Sequence, residues 1–360
     1  MKAIVVGTGF GARVHVPALQ LAGIEVAALV GRDPDKTARR AARVGAETAC
    51  TDLRQALAIA GTEIVVIASP PDTHAPLALE AIRAGRHVLV EKPFTLDAAQ
   101  ARELETEAAS AGLTALVGHE FRFAPERIAV SDALTRGAVG PPRLATFVWH
   151  LPLVAAPDAR APSWWFRRER GGGWLGASVS HFADAANVWF GDIAVVNAVL
   201  PMVSERDRDL NAEDSVIIRF RSVAGCEGLI QQSAGIWGEP FQVMRIAGPA
   251  GNLVVEDGKV TLATATGTAD LDVEPPAVDV LPAQDPRQQF THLELGPAVR
   301  QAQAFRRLIA GAPLGDEPIP PATFADGVAG MRFLDAARRS AAADGATTDV
   351  AGARVQVPAE

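Results

Sequence analysis

Tyrosine is absent from the 360 residues, and cysteine occurs only twice. With the high alanine content, the missing tyrosine matches genomic base bias and carries no functional reading. Cys50 and Cys226 stand far apart without metal-type spacing, which excludes a disulfide framework and a zinc site. No segment approaches the roughly 18 unbroken apolar residues of a membrane span. Lysine and arginine number 34 against 42 acids, a formal charge of −8, and form no basic block. Neither nucleic acid nor an anionic membrane is therefore expected as a main partner, because both select a concentrated cationic surface. Met1-Lys2 leads directly into Ala3-Ile4-Val5-Val6 and then glycines, an apolar run too short for a signal-peptide core and without a small-residue cleavage site. A cytoplasmic address is the expectation.

Hydrophobic residues make up 48% and charged residues 21%, as in ordinary globular proteins. The length exceeds that of one typical domain and predicts two, each with its own core, and a cleft between them. Up to about residue 118, short β-rich apolar runs alternate with helical segments, the pattern of a parallel sheet covered on both faces. The predicted strands are 3–6, 25–30, 63–68, 87–90 and 114–117. Thr51 is read as capping one intervening helix, and Thr95 as opening another that Gly112 ends. Beyond residue 120 a helix is expected over 125–135, followed by longer strands. In 215–221, Val216, Ile218 and Phe220 alternate with Ile217, Arg219 and Arg221, the period of a sheet with one wetter face. Residues 171–190 read as a glycine-rich turn entering a helix, 272–285 as a surface loop, and 298–309 and 324–343 as helices. The expected division is a doubly wound domain over 1–120 and an α+β domain on an open, mostly antiparallel sheet over 121–360, whose last helix is expected to pack back on the first domain.

Gly7-Thr8-Gly9-Phe10-Gly11-Ala12 follows the first strand and opens the first helix, the setting in which a Gly-x-Gly-x-x-Gly/Ala pattern holds a dinucleotide. Gly7 permits the tight turn, Gly9 lets the backbone approach a diphosphate, and the small Ala12 lets helix and strand pack closely. The anion would then face a helix N-terminus. The second strand ends in Val30-Gly31-Arg32-Asp33, where an acid at position 31 would hold the adenosine ribose of NAD. Gly31 offers none, whereas Arg32 can stack on adenine and fork onto a 2′-phosphate. This favours NADP, with NAD as the alternative; the plainer reading of Arg32 is a solvated turn arginine.

Glu91-Lys92-Pro93 ends the strand His87-Val88-Leu89-Val90, at the strand end where open α/β sheets bind ligands. Together with Ser69-Pro70-Pro71-Asp72-Thr73-His74, Ala84-Gly85-Arg86-His87, and Gly171-Gly172-Gly173-Trp174-Leu175 leading to His181-Phe182-Ala183-Asp184, this run closely resembles the Gfo/Idh/MocA oxidoreductases over nearly the whole chain. The resemblance implies a Rossmann domain followed by an α/β domain with a large open antiparallel sheet, and assembly into a homodimer or homotetramer. It implies hydride transfer between nicotinamide and a hydroxyl or carbonyl carbon of a sugar, cyclitol or related small polyol. Lys92 would exchange the proton of the reacting oxygen, its ammonium form disfavoured by burial beside a charged nicotinamide. Glu91 would orient cofactor or lysine, and Lys92-Pro93 is a candidate cis bond. Phe10, Gly11, Ser69, Pro70 and His74 complete the implied cofactor-binding set, and His181 matches the active-site histidine; otherwise it reads as a satisfied core histidine.

The chain departs from the family at Ala177, where many members carry an aspartate one helical turn before that histidine, and at Val179, where glycine is usual. Asp184, three residues after His181 on the same helix face, could polarise its ring; it also reads as a surface or interdomain acid. Arg122 and the cluster Trp164-Trp165-Phe166-Arg167-Arg168 are the substrate-facing candidates, Trp165 for a sugar face and Arg122 and Arg168 for an anionic group. The tryptophans read equally as core or subunit-contact residues. Two other activities stay open: a glycoside hydrolase that uses bound NAD for a transient oxidation, and, because of Ala177, a non-catalytic cofactor-binding protein.

Overall fold

A computed structural model describes residues 1–159, 161–207, 209–278, 290–315 and 319–352. Its chain divides into two compact units, one formed by residues 1–95, 99–125 and 275–327, the other by 96–98, 126–274 and 328–360.

The first unit is built as β1 (Lys2–Val6), α1 (Val16–Leu21), β2 (Glu25–Val30), α2 (Pro34–Val44), β3 (Thr48–Cys50), α3 (Leu53–Leu57), β4 (Thr62–Ile67), α4 (His74–Arg83), β5 (His87–Glu91), α5 (Ala98–Ser110) and β6 (Ala115–Gly118). Its six strands run parallel in the order β3-β2-β1-β4-β5-β6. Ile4, Val5, Val65, Val66, Val88 and Val90 are fully buried. Burial on both faces is why these strands read as unbroken apolar runs instead of alternating. Every carboxyl end lies along one edge, so the turns after β1, β4 and β5 share it.

Three local readings are corrected. Asp52, not Thr51, caps α3, its carboxylate accepting from the Arg54 amide. Thr95 is buried three residues ahead of α5 and does not open it, while Gly112 follows the helix in the left-handed region, as expected of a terminator. The edge strand β3 was not expected; three residues are too few for a periodicity to register.

The second unit carries α6 (Pro125–Thr135), β7 (Leu144–His150), α7 (Ser180–Phe190), β8 (Ile193–Val199), β9 (Ser215–Ser222), β10 (Glu227–Ser233), β11 (Phe241–Ala247), β12 (Gly251–Glu256), β13 (Lys259–Thr264), β14 (Gly267–Asp270) and, near the C-terminus, β15 (Thr348–Asp349). The nine strands lie in the order β14-β13-β12-β11-β7-β10-β9-β8-β15, antiparallel except for the β7–β10 pair. In β9 the residues alternate as the sequence requires, Val216, Ile218 and Phe220 inward and Ile217, Arg219 and Arg221 outward. On the inner face α7 packs through rings: Phe182 lies 5.8 Å and Phe190 6.2 Å from Phe147, centroid to centroid. Gly228 is glycine because a Cβ there would come 2.0 Å from the Phe220 ring.

Two long helices follow, α8 (Thr291–Ile309) and α9 (Phe324–Ala342). Helix α8 belongs to the first unit: Ala302 and Phe305 join its core, and the Gln301 amide donates to the Val117 carbonyl at 2.9 Å. The neighbouring segment extends the sheet edge, with the Val117 amide on the Ala322 carbonyl. Of the loop expected over 272–285, residues 272–278 are irregular; the remainder lies outside the described residues. Among the described residues no helix is long and apolar enough to cross a membrane, and no group of side chains is arranged to hold a metal ion.

Candidate dinucleotide and catalytic sites

The turn after β1 is fixed by collisions that only glycine avoids. Gly7 adopts φ +123°, and a Cβ there would sit 2.2 Å from the Ala68 carbonyl oxygen. Gly11 faces Val5 Cγ1 at 2.9 Å from its would-be Cβ, so Gly11 as well as Ala12 holds the helix against β1. Gly9 is different. It is exposed, its φ is not left-handed, and a Cβ would meet nothing within 4 Å. Neither packing nor backbone geometry requires glycine there, which leaves the open approach that a bound diphosphate needs. The chain then enters a single π-helical turn, Gly11–His15, that continues into α1. Phe10 is partly exposed, with the His15 ring edge-on at 5.4 Å.

At the end of β2, Gly31 is hemmed in by Thr8 Cγ2 at 2.3 Å and Thr37 Oγ1 at 2.6 Å from its would-be Cβ. An acid at this position would have to displace both threonine side chains, so the site is crowded as well as lacking a carboxylate. Arg32 is exposed, and Asp33 is occupied as the cap of α2, accepting from the Lys36 amide.

The turns after β4 and β5 are tied together by His74. Its Nε2 meets the Ser69 carbonyl at 2.8 Å and its Nδ1 the Pro93 carbonyl at 3.0 Å. Burial pushes the imidazole pKa down against the pull of these carbonyls; in the neutral form the ring donates to one of the two. Ser69 Oγ reaches Thr73 Oγ1 at 2.6 Å, and Thr73 in turn donates to the Pro70 carbonyl. Lys92 is half-buried at the tip of β5, and the Lys92-Pro93 bond is cis.

Around Lys92 the first unit gathers three acids, of which the sequence singled out only Glu91. Glu91 is buried, its Oε1 2.7 Å from His15 Nε2 and its Oε2 accepting from the Lys92 amide. Burial alone would raise its carboxyl, but the His15 hydrogen bond and the charges of His15, Lys92 and His74 hold it below the usual range. Glu120, only 2% exposed, lies two residues beyond Gly118, which pairs with Glu91. Burial, reinforced by the Glu91 charge, pushes it well above the ordinary carboxylate range. On α8, Glu294 binds Arg13 at 2.9 Å, and burial raises it too, against the opposing charges of Arg13 and Lys92.

In the second unit, the three glycines before Trp174 have structural causes. A Cβ at Gly172 would lie 2.3 Å from the Trp164 carbonyl oxygen, and Gly173, at φ +106°, abuts the Glu213 carboxylate. Glu213 accepts from the Leu175 amide and is pushed up by burial. This seats the π-helical turn Leu175–Val179 from which α7 and His181 follow. His181 and Asp184 are both buried, so Asp184 is not a solvent-facing acid. Arg127 spans the helix, its guanidinium 4.9 Å from the Phe182 ring centre and donating to the His181 carbonyl. Trp164 and Trp165 are half-buried, with the Trp165 ring 6.1 Å from that of Trp174. Arg168 is exposed, its amide bonded to the Asn211 side chain.

Arg122 belongs to the first unit and is 4% exposed, its guanidinium donating to the Pro320 carbonyl and standing 3.5 Å from Asp326. Its guanidinium thus has partners within the first unit that the sequence did not anticipate. His15, Glu294 and Glu213 were missed because their partners, Glu91, Arg13 and the Leu175 amide, lie far away in the chain, and Glu120 because nothing local signals its burial. Only the position of His15, just beyond the glycine turn, could have flagged one.

Comparison with known proteins agrees with this architecture. Residues 1–119 match the family model described as the oxidoreductase family with an NAD-binding Rossmann fold, and residues 128–254 match the GFO/IDH/MocA C-terminal domain. An uncharacterized oxidoreductase of Synechocystis sp. is 33% identical over 261 residues, 70% of this chain and 70% of that protein. Inositol 2-dehydrogenase of Rhizobium meliloti is 26% identical over 340 residues, 93% of this chain and 95% of its own. A structure of levoglucosan dehydrogenase in complex with NADH and levoglucosan superposes with a TM-score of 0.84 at 21% identity, covering 98% of this chain and 99% of that one, a likeness of fold. With a glycine turn, a Glu-Lys-Pro strand tip and both domain models in register, the chain belongs to the Gfo/Idh/MocA oxidoreductases, with an NAD-binding Rossmann fold in its first unit.

Proposed function

We propose that the protein is an NAD(P)-dependent dehydrogenase or reductase that moves hydride between nicotinamide and a hydroxyl or carbonyl carbon of a sugar, cyclitol or related polyol. One observation carries the reading: Lys92, at the carboxyl end of β5, lies along the same sheet edge as the Gly7-to-Gly9 turn after β1, with only β4 between those strands. An amine on that edge can reach the reacting end of a dinucleotide whose diphosphate is held at the glycines. The relatives named for inositol and levoglucosan support the polyol class.

The bound dinucleotide supplies the hydride acceptor or donor. Lys92 hydrogen-bonds the substrate oxygen, taking its proton in oxidation and returning it in reduction. Glu91 fixes the strand tip through His15 and the Lys92 amide, and His74 holds the Pro93 turn. Phe10, Gly11, Ala12, Ser69 and Pro70 line the dinucleotide path. In the second unit His181 is the polar partner for substrate, with Asp184 orienting it in place of the acid lost at Ala177. Trp165 and Arg168 are the candidate substrate contacts there. The steric closure of Gly31 and the exposed Arg32 favour NADP over NAD.

The open face of the second sheet, with Ile217 42% and Phe241 46% exposed, supports a homodimer or homotetramer. The test is a polyol and sugar screen against NADP and NAD, followed by nicotinamide fluorescence. Lys92→Ala should cut turnover by about 10²- to 10⁴-fold while dinucleotide binding persists. Normal turnover in that variant refutes the mechanism.

A further inference from the structure

Between Arg32 and Arg43 the chain carries five basic side chains against two acidic ones, a local reversal in a protein of net charge −8. Most of α2 presents these to solvent, but Arg40 turns inward: its Nη1 donates to the carbonyl of Thr8, inside the glycine turn. Thr8 is also the residue whose methyl group closes the space beside Gly31. Thr37, buried on the same helix, completes that closure and binds the Asp33 carbonyl at 2.6 Å. Gly31, Thr8, Thr37 and Arg40 thus form one contact group at the end of β2, flanked by Arg32.

We infer that Arg40 is a specificity residue which, together with Arg32, holds the adenosine 2′-phosphate of NADP; the inference rests on the NADP reading above. Three features support it. The place from which an acid would grip two ribose hydroxyls is filled by the Thr8 methyl and the Thr37 hydroxyl, so nothing in this corner rewards an unphosphorylated ribose. Asp33, the nearest acid in sequence, spends its carboxylate on the α2 amide and is turned to the helix. The bond from Arg40 to Thr8 uses one of five guanidinium donors and pre-orients the rest beside the turn, lowering the ordering cost when a phosphate arrives.

The test uses full-length protein and two probes that need no turnover, adenosine 2′,5′-bisphosphate and 5′-AMP, titrated by calorimetry into wild type, Arg40→Met and Arg40→Lys. Melting curves establish that the variants fold. Wild type should prefer the bisphosphate. Arg40→Met should lose about 10- to 100-fold in affinity for it, the range expected for charge-assisted bonds to phosphate, with 5′-AMP affinity changed less than about threefold. Arg40→Lys should fall between, keeping the charge without the fork. If wild type prefers the bisphosphate but Arg40→Met keeps that preference, or weakens both probes equally, Arg40 is only a brace for the turn; this inference is overturned and the NADP reading stands. If wild type shows no preference for the bisphosphate, both are overturned.

Discussion

Replacing His15 by phenylalanine isolates the buried pair beneath the proposed catalytic lysine. The two side chains are 5% and 7% exposed and meet at 2.7 Å, so the substitution leaves the Glu91 carboxylate in a dry site with its principal partner gone. Removing one member of such a pair costs about 3 to 5 kcal/mol, because the remaining charge is uncompensated. Phenylalanine keeps the ring volume and the edge contact with Phe10, so little of the loss arises from a cavity. The loss must also depend on pH. In wild type the Glu91 carboxyl is held below its ordinary value, so its contribution is present above the unfolded carboxylate pKa of about 4.3 and fades as the pH falls through the folded one. In the variant burial raises the carboxyl, and the penalty grows as the pH rises through the same region. The expected difference is therefore about 3 kcal/mol or more at pH 7.5, shrinking to below about 1 kcal/mol near pH 4. For a unit of this size the larger figure corresponds to a midpoint roughly 6 to 12 °C lower.

The choice of assay matters, since all six tryptophans lie in residues 126–274 of the second unit. Intrinsic fluorescence would miss the event, whereas scanning calorimetry reports both units. Adding Glu91→Gln to His15→Phe removes the stranded charge and should restore most of the loss at pH 7.5, a coupling that a purely steric defect would not produce. A loss that is the same at both pH values, or that Glu91→Gln fails to relieve, would refute the reasoning.

Three other outcomes are expected. Gly9→Ala should fold with a melting temperature close to wild type, because its Cβ meets no other residue within 4 Å, yet lose dinucleotide affinity in a fluorescence titration; unchanged affinity would remove the diphosphate from that turn. Gly31→Asp, the change that might be chosen to install NAD preference, should instead destabilise the first unit by about 1 to 3 kcal/mol through overpacking against Thr8 and Thr37; a calorimetric midpoint equal to wild type would contradict the closure. Because Glu120 is raised, wild-type stability is lost as the pH climbs from the unfolded carboxylate value towards the folded one, so Glu120→Gln should gain on wild type with rising pH, by at most about 1.4 kcal/mol per unit. A constant difference from pH 4 to 8 would contradict a protonated Glu120.

The doubly wound unit was readable because its strands are buried on both faces and its turns carry glycine where φ or contact allows nothing else. Residues 125–135 and the alternation in β9 were equally plain, since each repeats a single period for two turns or more. The sequence was silent where a decision depends on residues far apart in the chain. That α8 joins the first unit follows from Phe305 entering its core and Gln301 meeting the Val117 carbonyl, contacts without any local signature. Nothing near Arg122 in sequence anticipates its contacts with the Pro320 carbonyl and Asp326. Gly31 looked like a missing acid, and only Thr8 and Thr37 reveal it as a filled one. His15 was passed over because its partner is 76 residues away.

The acids near Lys92 bear on whether the loss of the family aspartate at Ala177 has ended catalysis. Glu120 and Glu294 are buried with their carboxyls raised, so their desolvation is offset only in part, and apolar residues of similar volume would generally serve stability as well or better. A fold that only sensed a dinucleotide would have no use for that cost beside one lysine. Perturbed carboxyls grouped with a half-buried amine are instead what proton exchange requires, since the lysine's proton must come from and go to groups whose affinity for it lies within reach. The two readings separate in Glu120→Gln: a catalytic protein should lose turnover and shift its pH–rate profile while it keeps or gains stability. A sensing protein should gain stability and show no turnover to lose.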